Sequence, residues 1–531
     1  MSRSDVVLRI AGASKRALSL LVRGFGYDAE RTASWAKSLE EINPSRAAEL
    51  YRQALRQPPR VAWIRIKYAD FLIKQGHDDE LIEVVLREAA EIEPTDAYTL
   101  SAYVAFARKR KNGLADAIDR LERALIAQPD DIWLTLQFAV LIAEQDGSLD
   151  RAEPFLQELA RTHPEHGGVQ YIYGFLLATF SDRRDEAAQY IKAAMSLSPR
   201  DLGIARFAGG FFLHTFPEPQ AAESCLRIAT EINAADDKSL FLLAELQRVF
   251  RRDMDAAETL YQRAINVSSE PRYVEALASF LCVIRNQPGE AERTYGLAVE
   301  LAIQPQWIRP SLAYFLHRVR GDSGSARAQL ELAVEESSRH PSFVFALASF
   351  LGFELSEHAT AAELFREVAG GNDLSAVQLS VYAAFVAGCL KDVPKAEPLF
   401  RRAFEMKRDD PYVLLNLGTF LAEHGRADEG LAHLDSVLDR LVGPMYEDWG
   451  LVALLLCLIY GPVSRHPALV KRLKAALAVG ERSPMSHLMH SVKHIESGHG
   501  ALAIWLGPLV DVVTMRSPVS ALGDWPDWRD A

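Results

Sequence analysis

The densest group of chemically capable side chains lies near the C-terminus. The run MSHLMHSVKHIESGH places His487, His490, His494 and His499 within thirteen residues. The first three stand three and four apart, so on a helix their imidazoles share one face, an arrangement able to hold zinc or a similar ion. Glu496 is the only carboxylate in the run and no cysteine joins it. The run therefore reads as a polar helix face near the C-terminal cap; His487, His490 and His494 are the candidates if a metal binds at all, and no cofactor is expected. Elsewhere reactive residue types occur without the spacing that chemistry needs. No G-x-x-x-x-G-K phosphate loop, H-E-x-x-H helix or G-x-S-x-G elbow is present. RGFGYD (23–28) is a turn between helices. Cys225, Cys282, Cys389 and Cys457 lie far apart with no C-x-x-C pair, as small hydrophobes in a reducing compartment would. The chain is expected to be non-catalytic and cytoplasmic.

Composition narrows the partners. The 531 residues carry a formal charge of -12, which disfavours gripping a nucleic-acid backbone. The most apolar run, GLVALLLCLIYG (450–461), is too short to span a membrane and is followed by Pro462. The first two dozen residues carry Arg3, Arg9, Lys15, Arg16 and Arg23 against Asp5 alone, with Val7, Ile10, Leu18, Leu21 and Val22 roughly along one side. This is expected to be a capping helix with a basic outer face, a transit peptide or membrane-surface helix being the alternative.

The elements that must position any site are set by a period. KAEPLFRRAF (395–404), AAETLYQRAI (256–265) and AAELYRQAL (47–55) are one phrase written three times. Its opening small residue recurs at Ala47, Ala117, Ala152, Ala187, Ala222, Ala257, Ala291, Ala326, Ala361, Ala396 and Gly430, with Ile82 in the second place. The steps are 35 residues except for two of 34. A large apolar residue follows four later and a small one three after that, so all three share a helical face. Proline then stops the helix at Pro59, Pro94, Pro129, Pro164 and Pro199. Between these lie phrases such as YADFL (68–72), LASFL (277–281) and LGTFL (417–421), whose second position is small. Each unit is thus predicted to be two antiparallel helices that cannot bury their faces alone and must stack.

The order large-small, then small, aromatic, small, proline resembles the tetratricopeptide repeat family, over about 33–444. The resemblance implies an all-α fold, a right-handed α-solenoid (superhelix) of stacked helix pairs with helical caps. Twelve or more repeats of 34–35 residues would occupy 26–443, after a basic amphipathic capping helix at 1–25. A degenerate thirteenth repeat, capping helices and a tail with Trp525 and Trp528 would fill 444–531. Most units carry one residue more than the family's usual interval, expected in the turn inside each unit; LGTFLAEHGRADEG (417–430) lacks it. WIRIKYADF (63–71) is also somewhat similar to the half-a-TPR repeats of RNA-processing scaffolds, which keeps such an assembly as the alternative setting.

In this family the first helix of each unit lines the concave side. Carried onto this sequence, the groove would hold Trp63, Ile66, Arg108, Trp133, Leu136, Tyr171, Phe175, Arg206, Phe241, Arg248, Arg272, Trp307, Tyr314, His317, Phe345, Tyr412 and Leu415. Aromatic rings and arginines are enriched where proteins hold peptides. The family's asparagine ladder and carboxylate clamp are not expected, since only Asn416 stands at a ladder position. The resulting expectation is a scaffold or adaptor binding another protein or peptide, acidic or apolar, without direct nucleic-acid contact. A metal-responsive regulator using the C-terminal histidines is a more remote alternative. The sequence leaves the oligomeric state open.

Overall fold

The computed structural model describes residues 29–438 apart from a few linker positions, together with 448–478 and 503–522. The basic N-terminal stretch, the histidine run and the two tail tryptophans lie outside the described residues. Among those described, the chain is helical with no strand, and no helix is long and apolar enough to cross a membrane. It divides into two compact units, Met1–Ser198 and Pro199–Ala531.

The helices come in antiparallel pairs. In the first unit, pair 1 is α1 (Ala29–Leu39) with α2 (Pro44–Leu55), and pair 2 is α3 (Ala62–Lys74) with α4 (Asp79–Ile92). Pairs 3 to 5 are α5 (Ala97–Ala107) with α6 (Gly113–Ala127), α7 (Ile132–Asp146) with α8 (Glu153–Thr162), and α9 (Gly167–Phe180) with α10 (Arg184–Leu197). The second unit opens with pairs 6 to 8: α11 (Leu202–Gly210) with α12 (Pro219–Ile232), α13 (Asp237–Leu246) with α14 (Met254–Val267), and α15 (Pro271–Val283) with α16 (Pro288–Leu301). Pairs 9 to 11 are α17 (Arg309–Arg318) with α18 (Ser323–Glu336), α19 (Pro341–Ser349) with α20 (His358–Gly371), and α21 (Ala376–Gly388) with α22 (Val393–Met406). Pair 12 is α23 (Pro411–Glu423) with α24 (Ala427–Leu438), and pair 13 is α25 (Asp448–Tyr460) with α26 (His466–Ala478). A final helix, α27, spans Ala503–Val513.

The periodic residues hold the pairs together. Ala47, Ala117, Ala187, Ala257 and Ala396 are fully buried, and the large residues after them, among them Tyr51, Leu121, Ile191, Tyr261 and Phe400, are at most 1% exposed. The small residue of the first helix lets the second approach closely. A Cβ added at Gly209 would sit 2.5 Å from Leu226 Cδ2, and one at Gly430 would sit 2.5 Å from the Gly418 carbonyl oxygen. Buried tyrosine hydroxyls are satisfied by carboxylates, Tyr51 by Glu40 at 2.6 Å and Tyr173 by Glu153 at 3.0 Å. Polar N-caps open most first helices. Asp96, Asp131, His166, Asp201, Asp236, His340, Ser375 and Asp410 each accept a backbone N–H two or three residues on.

The extra residue per unit is not simply a longer turn. In pairs 6, 7 and 10 it widens the end of the first helix into a π turn, at Phe211–Thr215, Gln247–Arg251 and Phe350–Glu354. The next backbone bonds reach six residues back, as in Asp253 N–H to Gln247 and Glu357 N–H to Leu351. The same closure occurs at Asp322 to Leu316 and Asp392 to Val386. Pair 12 lacks the extra residue and closes one residue shorter, Arg426 N–H to Leu421. In pair 2, where His77 N–H bonds Leu72, the residue falls in the loop. The helix absorbs it because widening the last turn keeps backbone groups paired, whereas a looser loop would leave carbonyls to water.

Candidate functional site

The expected groove residues fall into three groups. Ile66 and Leu136 are 2% exposed, Leu415 is fully buried, and Phe345 is 9% exposed, its ring meeting Phe365 at 5.1 Å. These four are core and present no surface to a ligand. The expectation counted residues from the helix phase alone, and in closely packed neighbours that phase also meets the adjacent pair.

The remaining aromatics stay at least partly accessible. On the first unit, Trp133 is 44% exposed, and its indole Nε1 donates to Ser101 Oγ at 3.0 Å. Trp63, Tyr171 and Phe175 are half-buried, the last two with ring centres 6.3 Å apart. On the second unit, Trp307 is 57% exposed. It sits in the short 3₁₀ turn before α17, donates to Gln304 at 3.1 Å and meets Phe343 edge-on at 4.8 Å. Phe241 stacks on Tyr273 at 4.7 Å, and Tyr314 meets Phe350 edge-on at 5.8 Å. Tyr412 is half-buried against the core around α25.

The arginines are not arrayed for an outside anion. Arg206 pairs at 3.0 Å with Asp236, the residue that caps α13. Arg248 holds Glu245 at 2.7 Å, and Arg108 pairs with Glu144 of the next first helix. Burial works to raise the Glu245 carboxyl, but the Arg248 charge and hydrogen bonds from Arg248 and Tyr261 hold it below its ordinary value. Arg272 is exposed beside Glu275, whose carboxyl burial raises despite that neighbour. Asn416, the lone ladder asparagine, is buried and donates to Ser380 of the preceding first helix at 2.9 Å. Reversing Arg206 and Arg248 would set carboxylates against carboxylates and test stability before it tested binding.

The last expected groove residue, His317, belongs to a polar centre whose other members were not anticipated. His317 and Arg318 end α17, and Glu354 ends the π turn after α19. Glu354 and Arg318 side chains are fully buried and paired. His317 Nε2 lies 3.1 Å from Glu354 and its Nδ1 lies 3.0 Å from Ser323 Oγ. Arg516, from beyond α27, reaches Glu354 at 2.9 Å. Burial would raise the Glu354 carboxyl, yet the hydrogen bond from His317 and the charges of Arg318 and Arg516 hold it at about 2. The sequence signal was thin: a glutamate in the slot filled by the extra residue, and one arginine near the C-terminus. The four cysteines are free. Burial pushes the thiols of Cys225 and Cys389 up to about 11 and that of Cys457 to about 12, so they are inert hydrophobes at neutral pH.

The geometry defines a class: an all-α protein of helix pairs repeated in phase, a repeat scaffold by architecture. Residues 390–441, from before α22 to the end of pair 12, match the Tetratricopeptide repeat family. Over that span the chain is similar to the tetratricopeptide repeat family. Similar solved structures include yeast Tom70, 14% identical, covering 84% of this chain and 99% of that one with a TM-score of 0.42. A human IFIT1 dimer with PPP-AAAA is 13% identical and covers 78% and 96% with a TM-score of 0.37. Pseudomonas aeruginosa PilF is 18% identical and covers 40% and 96% with a TM-score of 0.29. No curated protein sequence matches the chain.

Proposed function

We propose that this protein is a non-catalytic scaffold that binds another protein or peptide along the faces of its first helices, without gripping nucleic acid. The observation that carries this reading is the pair of accessible indoles. Trp133 and Trp307 are 44% and 57% exposed, as Trp35 is at 50%; what sets Trp133 and Trp307 apart is that each is held in one pose by a hydrogen bond to its own chain. Rigid aromatic rings cost little entropy to immobilise and anchor interfaces well. The partner is apolar where it meets these rings. The arginines of the same face are largely neutralised by the protein's own carboxylates, so the acidic ligand expected from sequence has weaker support. A cytoplasmic setting, a cap at 1–25, repeats over 26–443 and a closing region at 444–531 belong to the same proposal.

The test is affinity capture from extract with the wild-type chain and with Trp133→Ala and Trp307→Ala. A partner retained after nuclease treatment should lose about thirtyfold in affinity, about 2 kcal/mol, for at least one variant. Helicity by circular dichroism should not change. Equal capture by all three chains would move the binding surface elsewhere, and loss on nuclease treatment would favour the RNA-processing setting.

A further inference from the structure

The segment 503–522 does more than close the end of the stack. α27 packs Leu509, Val510, Val512 and Val513 into the cluster around α25, whose residues from Leu451 to Ile459 are at most 1% exposed. First helices within the stack keep partly open positions, such as Tyr314 and Tyr412, whereas residues 450–459 of this one are all buried. Beyond α27 the chain turns sharply. Met515 adopts φ +66°, and the N–H groups of Arg516 and Ser517 both donate to the Asp511 carbonyl, at 2.7 and 3.1 Å. The turn delivers Arg516 to Glu354 at 2.9 Å and the Thr514 carbonyl to Arg318 Nη1 at 3.5 Å.

These contacts join pair 13 to pairs 9 and 10. At the roughly 8–10 Å spacing of packed helices, a straight row would put α17 and α25 more than about 30 Å apart. An eleven-residue helix is only about 16 Å long. The first-helix face of pairs 9 to 13 therefore wraps the segment, as a groove wraps a bound helix. The contact also has the chemistry of a ligand site: an apolar helix against an apolar surface, then one cation entering a buried carboxylate. Two features make it exchangeable. Pro508 inside α27 removes a helix N–H, and the Arg516 side chain keeps 31% exposure at the mouth while Glu354 is fully buried.

We propose that segment 503–522 is an internal ligand occupying the partner site of pairs 9 to 13, latched by Arg516 on Glu354. The external partner is then a helix of the same chemistry, an apolar face followed within a turn by an arginine. This rests on reading the first-helix face as the interaction surface and names the ligand it takes there.

Hydrogen exchange on the full chain tests the latch without any partner. Amides of 503–522 should exchange at least tenfold faster than those of α23. Arg516→Glu should speed them at least a further tenfold while leaving α23 unchanged. Arg516→Gln, which adds no carboxylate beside Glu354, should give the same order with a smaller effect. A fluorescent synthetic peptide of residues 503–522 should bind the Arg516→Glu chain at least tenfold more tightly than the wild-type chain. The same peptide carrying Arg516→Glu should bind neither. Exchange of 503–522 in step with α23 in every chain, or no peptide binding to the Arg516→Glu chain, would make the segment a permanent cap and overturn the proposal. Trp133 lies in the other unit, so its substitution reads the general scaffold function independently.

Discussion

Glu354 shows how one carboxylate joins three elements. It is fully buried, yet it stays ionised because Arg318, His317 and Arg516 converge on it. A carboxyl held at about 2 against an ordinary 4.5 binds its proton less readily folded than unfolded. Its stabilisation is therefore complete above 4.5 and is lost as pH falls from there towards 2. Glu354→Gln should cost roughly 3–5 kcal/mol at pH 7, because it leaves the buried Arg318 charge without its carboxylate. The variant should also lose less further stability than wild type between pH 4.5 and pH 2. Urea unfolding at pH 7 and pH 3 checks both, and equal acid sensitivity in the two chains would refute the assignment. Individual residues also show where sequence reading stops. Arg206 stands on a first helix and Arg108 just past the end of one, and their partners lie 36 residues on for Arg108 and 30 for Arg206. Spacing within one unit cannot disclose a bridge made to the next.

Among the helices, the phase was legible because it is overdetermined. The small, large, small positions at four and three spacing are shut in between packed helices, which restricts their residue types, and they are buried as read. The caps went unread although they too repeat: a polar residue returns two positions after the stopping proline at Asp96, Asp131, His166 and Asp201. The fate of the thirty-fifth residue was not legible, because a π turn and a longer loop need the same number of residues. Its backbone consequence is testable. The residue closing the turn has positive φ at Arg252, Asn286, Gly321, Ser356, Lys391 and Gly425. Glycine accepts that conformation freely, whereas a side chain there is strained. Arg252 is exposed at φ +57°, so Arg252→Gly should stabilise the chain by about 0.5–1 kcal/mol, read as a higher thermal midpoint. A lower midpoint would mean that the arginine side chain contributes more than its backbone costs.

Whole repeat proteins inherit their stability from neighbours. Each pair packs chiefly on the pairs beside it, so local damage should spread to adjacent pairs and fade beyond them. The segment 503–522 breaks that rule within the second unit, since Thr514 bonds a residue 196 positions earlier. No periodicity could have announced such a contact, because it lies outside the repeat. It ties pairs 9, 10 and 13 into one cooperative block, in contrast to the first unit, where among the described residues each pair answers to its neighbours. Ala117→Leu provides the comparison. Ala117 is fully buried between α5 and α6, and overpacking there should cost about 1–3 kcal/mol. Hydrogen exchange should then show α5, α6 and α7 losing protection by that amount while α17 to α24 keep theirs. In the second unit, Arg516→Glu should instead reach across pairs, loosening 503–522 and the C-terminal ends of α17 and α19 together while α14 and α15 stay unchanged. Equal loss of protection throughout after Ala117→Leu would mean that the chain unfolds as a single body, and the one-dimensional account of its stability would fail.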